Sequence, residues 1–285
     1  MRQSLNFKAG LVSMLLLLAF IGIWFVATVP TAGAGTAGMT AEQIEYQKML
    51  GKDPGAAKTG GFPTPGQMGA TILKHLSDPV YDNGPNDKGI LIQLGHSLGR
   101  VALGFLLACI VAVPMGFVIG MSPLLSKALD PFIQVLKPIS PLAWMPLALY
   151  TIKDSSVSGV FVIFICSIWP MLLNTAFGVA SVRRDWLNVA RTLEVSPLRK
   201  AFLVILPAAA PTILTGMRIS MSIAWLVIVA AEMLVGGTGI GYFVWNEWNN
   251  LSLTNVIFAI GVIGVVGMLL DLIFGRLQKW VTYVE

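Results

Sequence analysis

Six apolar runs divide this chain. The first covers residues 9–29, 21 positions without a charge, with Arg2 and Lys8 ahead of it. A polar stretch follows over residues 30–89. Five further runs then lie at about 90–120, 128–151, 157–180, 209–235 and 252–275. Crossing a bilayer core takes about 20 mostly apolar residues in a helix, and each run is long enough. The pattern therefore predicts an all-α, polytopic membrane protein with six transmembrane helices. Pro138, Pro141 and Pro146 interrupt the third run. Proline removes a backbone donor and clashes with the preceding turn, so that helix is expected to be broken, with a short piece before Pro138.

The first run has a second reading. Ala32-Gly33-Ala34 resembles the small-residue site of a cleaved secretory signal. The apolar region of a signal is about 7–15 residues long, and the longer run here fits a retained span better.

Residues 30–89 are punctuated by Gly and Pro, and their charges nearly balance. Thr40-Ala41-Glu42-Gln43 and Thr64-Pro65-Gly66-Gln67 both match the capping-box pattern, in which the side chains of the first and fourth residues bond each other's backbone amides. Two short amphipathic helices are expected. The second puts Met68, Ile72, Leu73 and Leu76 on one face, against the membrane surface or the protein, and stops at Ser77-Asp78-Pro79. The chain thus reads as an N-terminal span (1–29), an outer segment (30–89) and a five-helix core (90–285).

Composition sharpens this picture. The 285 residues are 55% hydrophobic and only 12% charged. Soluble domains carry about 25% charge, so half the usual charge is missing and a soluble enzyme is excluded. The net charge of +5 points to basic inner loops rather than to nucleic acid. Arg183, Arg184, Arg191, Arg199 and Lys200 sit in the 181–208 loop, Lys127 in the turn after the second run, and Arg276 and Lys279 near the C-terminus. The 236–251 loop has neither Lys nor Arg. These sets alternate as six spans require with both ends in the cytoplasm. Two Cys and two His give no metal site or disulfide framework, and no phosphate-binding GxxxxGK[ST] loop occurs. The glycines of residues 236–241 read as a helix end and a turn rather than a phosphate cradle.

The 181–208 loop is long for a connection between spans. Asn188-Val189-Ala190-Arg191-Thr192-Leu193-Glu194-Val195-Ser196 suits a short helix, which Ser196-Pro197 breaks, and Val204-Ile205-Leu206-Pro207 follows. This resembles the coupling loop of ABC importer permeases, with the pattern EAA, three residues, Gly, nine residues, I-x-L-P. Asn188-Val189-Ala190 stands at EAA, Glu194 at Gly, Val204 at Ile, and Leu206-Pro207 at the end, with the spacing kept. From about residue 64 onward the chain is similar to the nitrate/sulfonate/taurine permease group. Ser97-Leu98-Gly99-Arg100, Lys137-Pro138-Ile139-Ser140-Pro141-Leu142-Ala143-Trp144-Met145-Pro146, and Ala224-Trp225 with Ala231-Glu232 carry that likeness. Ala230-Ala231-Glu232-Met233-Leu234 and Trp245-Asn246-Glu247-Trp248-Asn249-Asn250 resemble the nitrate branch, with the bicarbonate and cyanate permeases beside it.

The resemblance implies a type I ABC importer permease fold in a bacterial inner membrane, importing nitrate with nitrite as a further cargo. Bicarbonate, cyanate or sulfonate is the alternative cargo. It implies a second copy of the chain as partner, separate ATPase subunits that bind ATP and Mg, and a periplasmic or lipid-anchored anion-binding protein. No cofactor is implied in this chain, no partner of nucleic acid, and no enzyme activity of its own. Val189, Ala190, Arg191, Thr192, Leu193, Glu194, Val195, Ser196, Leu206 and Pro207 are the implied ATPase-coupling residues. A secondary anion transporter is the reading from another class. Its inverted repeats would give matching halves, and the two halves of this sequence do not match.

Charged groups inside a span are costly and mark function by default. Thr215, Arg218, Ser222, Trp225 and Glu232 follow 3–4 spacing on the fifth run and share a face. They are expected to line a translocation pathway, with Lys137 and Trp144 on the third run. The alternative for this stripe is helix packing, and for Glu232 a structural hydrogen bond. Lys137 has the alternative of snorkelling to the inner interface. Gln93, His96 and Arg100 are expected at the outer mouth, where they would attract an anion or simply stay wet. Asp271 is expected to pair with Arg276 or the inner loop.

Overall fold

The computed structural model describes residues 2–28, 40, 42, 45, 62–84 and 87–281. The small-residue site at 32–34 lies outside the residues described; of the helix expected from Thr40 only Glu42 and Glu45 are described, both helical. Every regular element among the described residues is helical: α1 (Arg2–Thr28), α2 (Pro65–Ser77), α3 (Ile90–Met121), α4 (Pro123–Leu136), α5 (Pro141–Ile152), α6 (Ser155–Ala180), α7 (Arg184–Thr192), α8 (Pro197–Lys200), α9 (Leu206–Val235), α10 (Ile240–Asn249) and α11 (Leu253–Val281). Five of them are long and apolar enough to span, counting the segment that starts at Pro197 and runs through α9 as one. The pair α4 and α5, bent by 89°, makes a sixth as a broken span. The break falls at Lys137–Ser140, where the prolines required it.

The chain divides into two compact units, Met1–Asp78 with Glu247–Phe258, and Pro79–Asn246 with Ala259–Glu285. This differs from a three-part division at 29 and 89. In the first unit the capping box forms: the Gln67 amide donates to Thr64 Oγ1 (3.3 Å) and the Thr64 amide to Gln67 Oε1 (2.9 Å). The indole of Trp24 donates to the Pro63 carbonyl at 3.0 Å, tying α1 to the start of α2. Of the two settings expected for the apolar face of α2, packing on the protein holds for Met68 alone. Met68 and His75 are buried, while Ile72, Leu73 and Leu76 stay exposed. His75 stacks on Phe258 at 4.6 Å, and its Nε2 lies 3.2 Å from Asn255 Oδ1. That contact is why residues so far apart in sequence fall in one unit.

In the second unit α6 lies between α3 and α9. Lipid gives no hydrophobic drive for helices to associate, so close packing of small residues does the work. On α3, Gly104, Ala108, Ala112, Gly116 and Gly120 recur every fourth residue and bring its backbone onto α6. A Cβ at Gly116 would lie 2.6 Å from the Leu172 carbonyl oxygen and 2.7 Å from Thr175 Cβ. Between α6 and α9, the Ser220 hydroxyl donates to the Ser167 carbonyl at 2.7 Å. Because the obstacle at Gly116 is backbone, Gly116→Leu is expected to cost about 3 kcal/mol, the upper end for overpacking. Gly95→Leu, at a glycine with open space around it, is the control. Membrane abundance of the two variants, measured side by side, checks this.

Candidate functional site

Two places in the second unit concentrate polar chemistry. The first joins α3, α6, α9 and the turn before α10. Glu232, 3% exposed near the end of α9, meets the Arg100 guanidinium at 2.7 Å. The Ser97 hydroxyl lies 2.9 and 2.8 Å from its two carboxylate oxygens. Arg100 also donates to the Thr238 carbonyl at 2.6 Å and to Ser156 Oγ at 3.0 Å. The turn completes the set. Gly239, Ile240 and Gly241 donate their amides to Gln93 Oε1 (2.6 Å), Ser97 Oγ (2.9 Å) and Glu232 Oε2 (3.0 Å).

These amides open α10, and the first amides of a helix have no partner inside it. A carboxylate there is favoured by hydrogen bonds and by the helix dipole. The glycines are needed for close approach. A Cβ on Gly241 would meet the Val229 carbonyl and Glu232 Cβ, and Gly239 has φ +148 directly against the Glu232 carboxylate. The Gly-rich turn thus reaches the chain's own Glu232 through the Gly241 amide, while its other two amides bind Gln93 and Ser97.

The expected outer mouth is corrected here. Gln93 is buried and Arg100 is committed to Glu232; only His96 is exposed. An ion pair away from water must be satisfied within the protein, so Gln93 and Arg100 hold helices together instead of standing wet at an entrance. The fifth-run stripe is likewise redirected. Thr215 accepts from Gln278 at 2.8 Å, Arg218 makes a bidentate pair with Asp271 at 2.5 Å, and the Trp225 indole donates to the Ile263 carbonyl at 3.0 Å. All three partners lie on α11. Thr215, Arg218 and Trp225 therefore engage this chain's last helix, and Glu232 engages α3. Ser222 alone of the five is exposed, with its hydroxyl on the Arg218 carbonyl. Asp271 pairs with Arg218, not with Arg276.

The second place is the basic loop. Val179, Val182, Ile205, Ala209 and Ile213 form a buried cluster, and Leu187 of α7 packs on it. Ala190 is 4% exposed, whereas Val189 and Leu193 are 59% and 70% exposed. Trp186 shares their face at the i, i+3, i+7 spacing of one helical stripe, and the Arg183 guanidinium lies 5.7 Å from its ring centre. Ala190 is thus corrected from a coupling contact to the residue that seats α7. Trp186, Val189 and Leu193 make the exposed apolar stripe of α7, and Arg191, Thr192, Glu194 and Ser196 are exposed beside it.

At the end of α7, Glu194 has φ +52. The Glu194 amide bonds to the Arg191 carbonyl and the Val195 amide to the Ala190 carbonyl, both at 3.0 Å. This pair of bonds closes a helix through a left-handed residue, the position that favours Gly. It explains why the resembled pattern has Gly where this chain has Glu. Glu194→Gly is expected to stabilise the loop by about 1 kcal/mol and Glu194→Val to weaken it, read from the rate of limited proteolysis within residues 184–196.

Beyond the loop, the spanning segment starts at Pro197, earlier than the run at 209 suggests. Residues Ala201–Ile205 form a π turn in which the Leu206 amide reaches back to the Ala201 carbonyl. Pro207 lacks an amide and would crowd the carbonyl four residues before it, and a widened turn makes room. Leu206 and Pro207 therefore begin α9 rather than lie in the loop. Two features were missed in the sequence: the small-residue ladder of α3, visible as its four-residue period, and Ser156, for which no signal exists.

A helical, many-span chain with a short helix seated on a basic loop is a multi-pass membrane protein. The chain belongs to the family of binding-protein-dependent transport system inner membrane components, whose model matches residues 104–283. It is 44% identical over 224 residues to the nitrate import permease protein NrtB of Synechocystis sp., covering 79% of this chain and 82% of that one. It is 45% identical over 207 residues to the bicarbonate transport system permease protein CmpB of the same organism, covering 72% and 74%. The taurine transport system permease protein TauC of Escherichia coli is 31% identical, covering 74% and 77%. Among solved structures, the MetNI methionine ABC transporter in an inward-facing conformation aligns with a TM-score of 0.61 at 12% identity, covering 68% of this chain and 96% of that one. That likeness is one of fold.

Proposed function

We propose that this chain is the permease subunit of an ATP-driven nitrate importer. The observation that carries this reading is the 44% identity to a nitrate import permease over about four fifths of both chains. Two copies enclose the pathway, with Lys137, Trp144 and Ser222 on the side that faces it. A binding protein delivers the anion, and separate ATPase subunits bind ATP and Mg and dock on Trp186, Val189 and Leu193. The short helix α7 supports this coupling role, since it presents an exposed apolar stripe while a packed cluster fixes its other side. Bicarbonate is the second reading, favoured by the 45% identity to a bicarbonate permease.

Uptake of labelled nitrate and of labelled bicarbonate, compared in a strain lacking this chain and in the same strain complemented, tests the two. Restored nitrate uptake supports the first reading. Restored bicarbonate uptake with no change for nitrate overturns it.

A further inference from the structure

The break between α4 and α5 opens a pocket of about 260 Å³, lined by Lys137, Ser140, Trp144, Cys166, Trp169 and Ile223 among others. Its depth follows from the helices beside it. Cys166 and Ile223 lie about a dozen residues from Ser155 and Val235, the near ends of α6 and α9; at ~1.5 Å per residue that is roughly 17 Å. A hydrocarbon core is about 30 Å thick, so the pocket sits near its middle.

The chemistry of the lining is one-sided. Lys137 has no hydrogen-bond or ion-pair partner among the described residues, unlike Arg100 and Arg218, each held by a carboxylate. The Ser140 oxygen accepts from the Leu142 amide at 3.3 Å, which leaves its O–H to donate. The indole N–H groups of Trp144 and Trp169 likewise have no acceptor among the described residues. No carboxylate lines the pocket. Lys137 and Ser140 are exposed on the single chain, so the pocket is open to an entering ion, and four donors, one of them a full cation, with no carboxylate beside them suit a hydrogen-bond-accepting anion. The apolar remainder suits one that sheds water readily, and α5 starts at the pocket with its positive end toward it.

We propose that the pocket at the α4–α5 break is an anion-binding site within the membrane, taking a small, weakly hydrated, oxygen-bearing monoanion in transit. Lys137 supplies the charge, and Ser140, Trp144 and Trp169 supply neutral donors. With one cation the hold is loose enough to release. The proposal rests on the transport reading above, and takes nitrate as its probe.

The test uses the assembled transporter with its binding protein in proteoliposomes. Lys137→Met is expected to lower nitrate uptake about tenfold at equal assembly, as loss of a charge-assisted hydrogen bond predicts. Lys137→Arg is expected to recover most of it, and binding-protein-stimulated ATP hydrolysis is expected to persist in both. Uptake by Lys137→Met within about twofold of wild type overturns the site. A second measurement covers the case in which that variant does not assemble. Cys166 lines the pocket and Cys109 is the other cysteine. In a Cys109→Ser background, nitrate is expected to slow modification of Cys166 by methyl methanethiosulfonate. Chloride is the control for ionic strength. Cys166 that reacts equally with and without nitrate, at the alkaline pH that a buried thiol needs to ionise, overturns the proposal. Wild-type transport of bicarbonate instead of nitrate would end the nitrate reading and, with it, the choice of a weakly hydrated anion; bicarbonate uptake that is unchanged in Lys137→Met would overturn the site as well.

Discussion

Arg100→Met is expected to be among the most destabilising single changes in the chain, at about 3–5 kcal/mol. The substitution keeps the volume of the stem but leaves the Glu232 carboxylate buried with only the Ser97 hydroxyl and the Gly241 amide. It also strands the Thr238 carbonyl, which accepts from Arg100 at 2.6 Å. Removing one member of a buried pair costs far more than the pair itself contributes, because the remaining charge has no water to turn to. The double variant Arg100→Met/Glu232→Gln is therefore expected to recover part of the loss. Gln is neutral, and its carbonyl oxygen still accepts from the Gly241 amide. Thermal midpoints of the purified chain in detergent, with membrane abundance alongside, check the order: wild type, then double, then Arg100→Met. A single variant as stable as wild type would show that the clasp holds nothing.

The second large effect is expected at α7. Val189→Asp together with Leu193→Asp should abolish ATPase docking and uptake while the chain remains in the membrane. Burying one Val or Leu contributes about 1.5–3 kcal/mol, and an Asp at either place adds an unpaired charge to the contact. A combined loss of about 4 kcal/mol is close to a thousandfold in Kd. Ala190→Asp should behave differently. Ala190 is buried against its own chain, so a carboxylate there disrupts the seat of α7 and lowers the amount of folded protein as well. Copurification of the ATPase subunit, at matched permease levels, separates the two outcomes. Full copurification with the double variant would place the docking surface elsewhere.

Much of this architecture was legible in the sequence. Apolar runs give spans because hydrocarbon length and helix rise fix the count, and Pro138 and Pro141 give the break because a missing amide and a ring clash act locally, whereas Pro146 is carried inside α5. The capping box at Thr64 formed as read for the same reason: its bonds join residues three apart. Loop spacing placed α7, and the coupling pattern even located Glu194 at a site that turned out to need a left-handed backbone.

What the sequence could not settle was which polar group meets which. Thr215, Arg218, Ser222, Trp225 and Glu232 do share a helical stripe, but a stripe is about 100° wide, and two neighbours divide it. Glu232 turned to α3, while Thr215, Arg218 and Trp225 turned to α11. Gln93 and Arg100 read as a wet mouth because their distance to the 236–241 turn is invisible in one dimension. Periodicity fixes the face on which a residue lies. Only the packing of helices distant in sequence decides whether that face meets lipid, a carboxylate, or the donors gathered around Lys137.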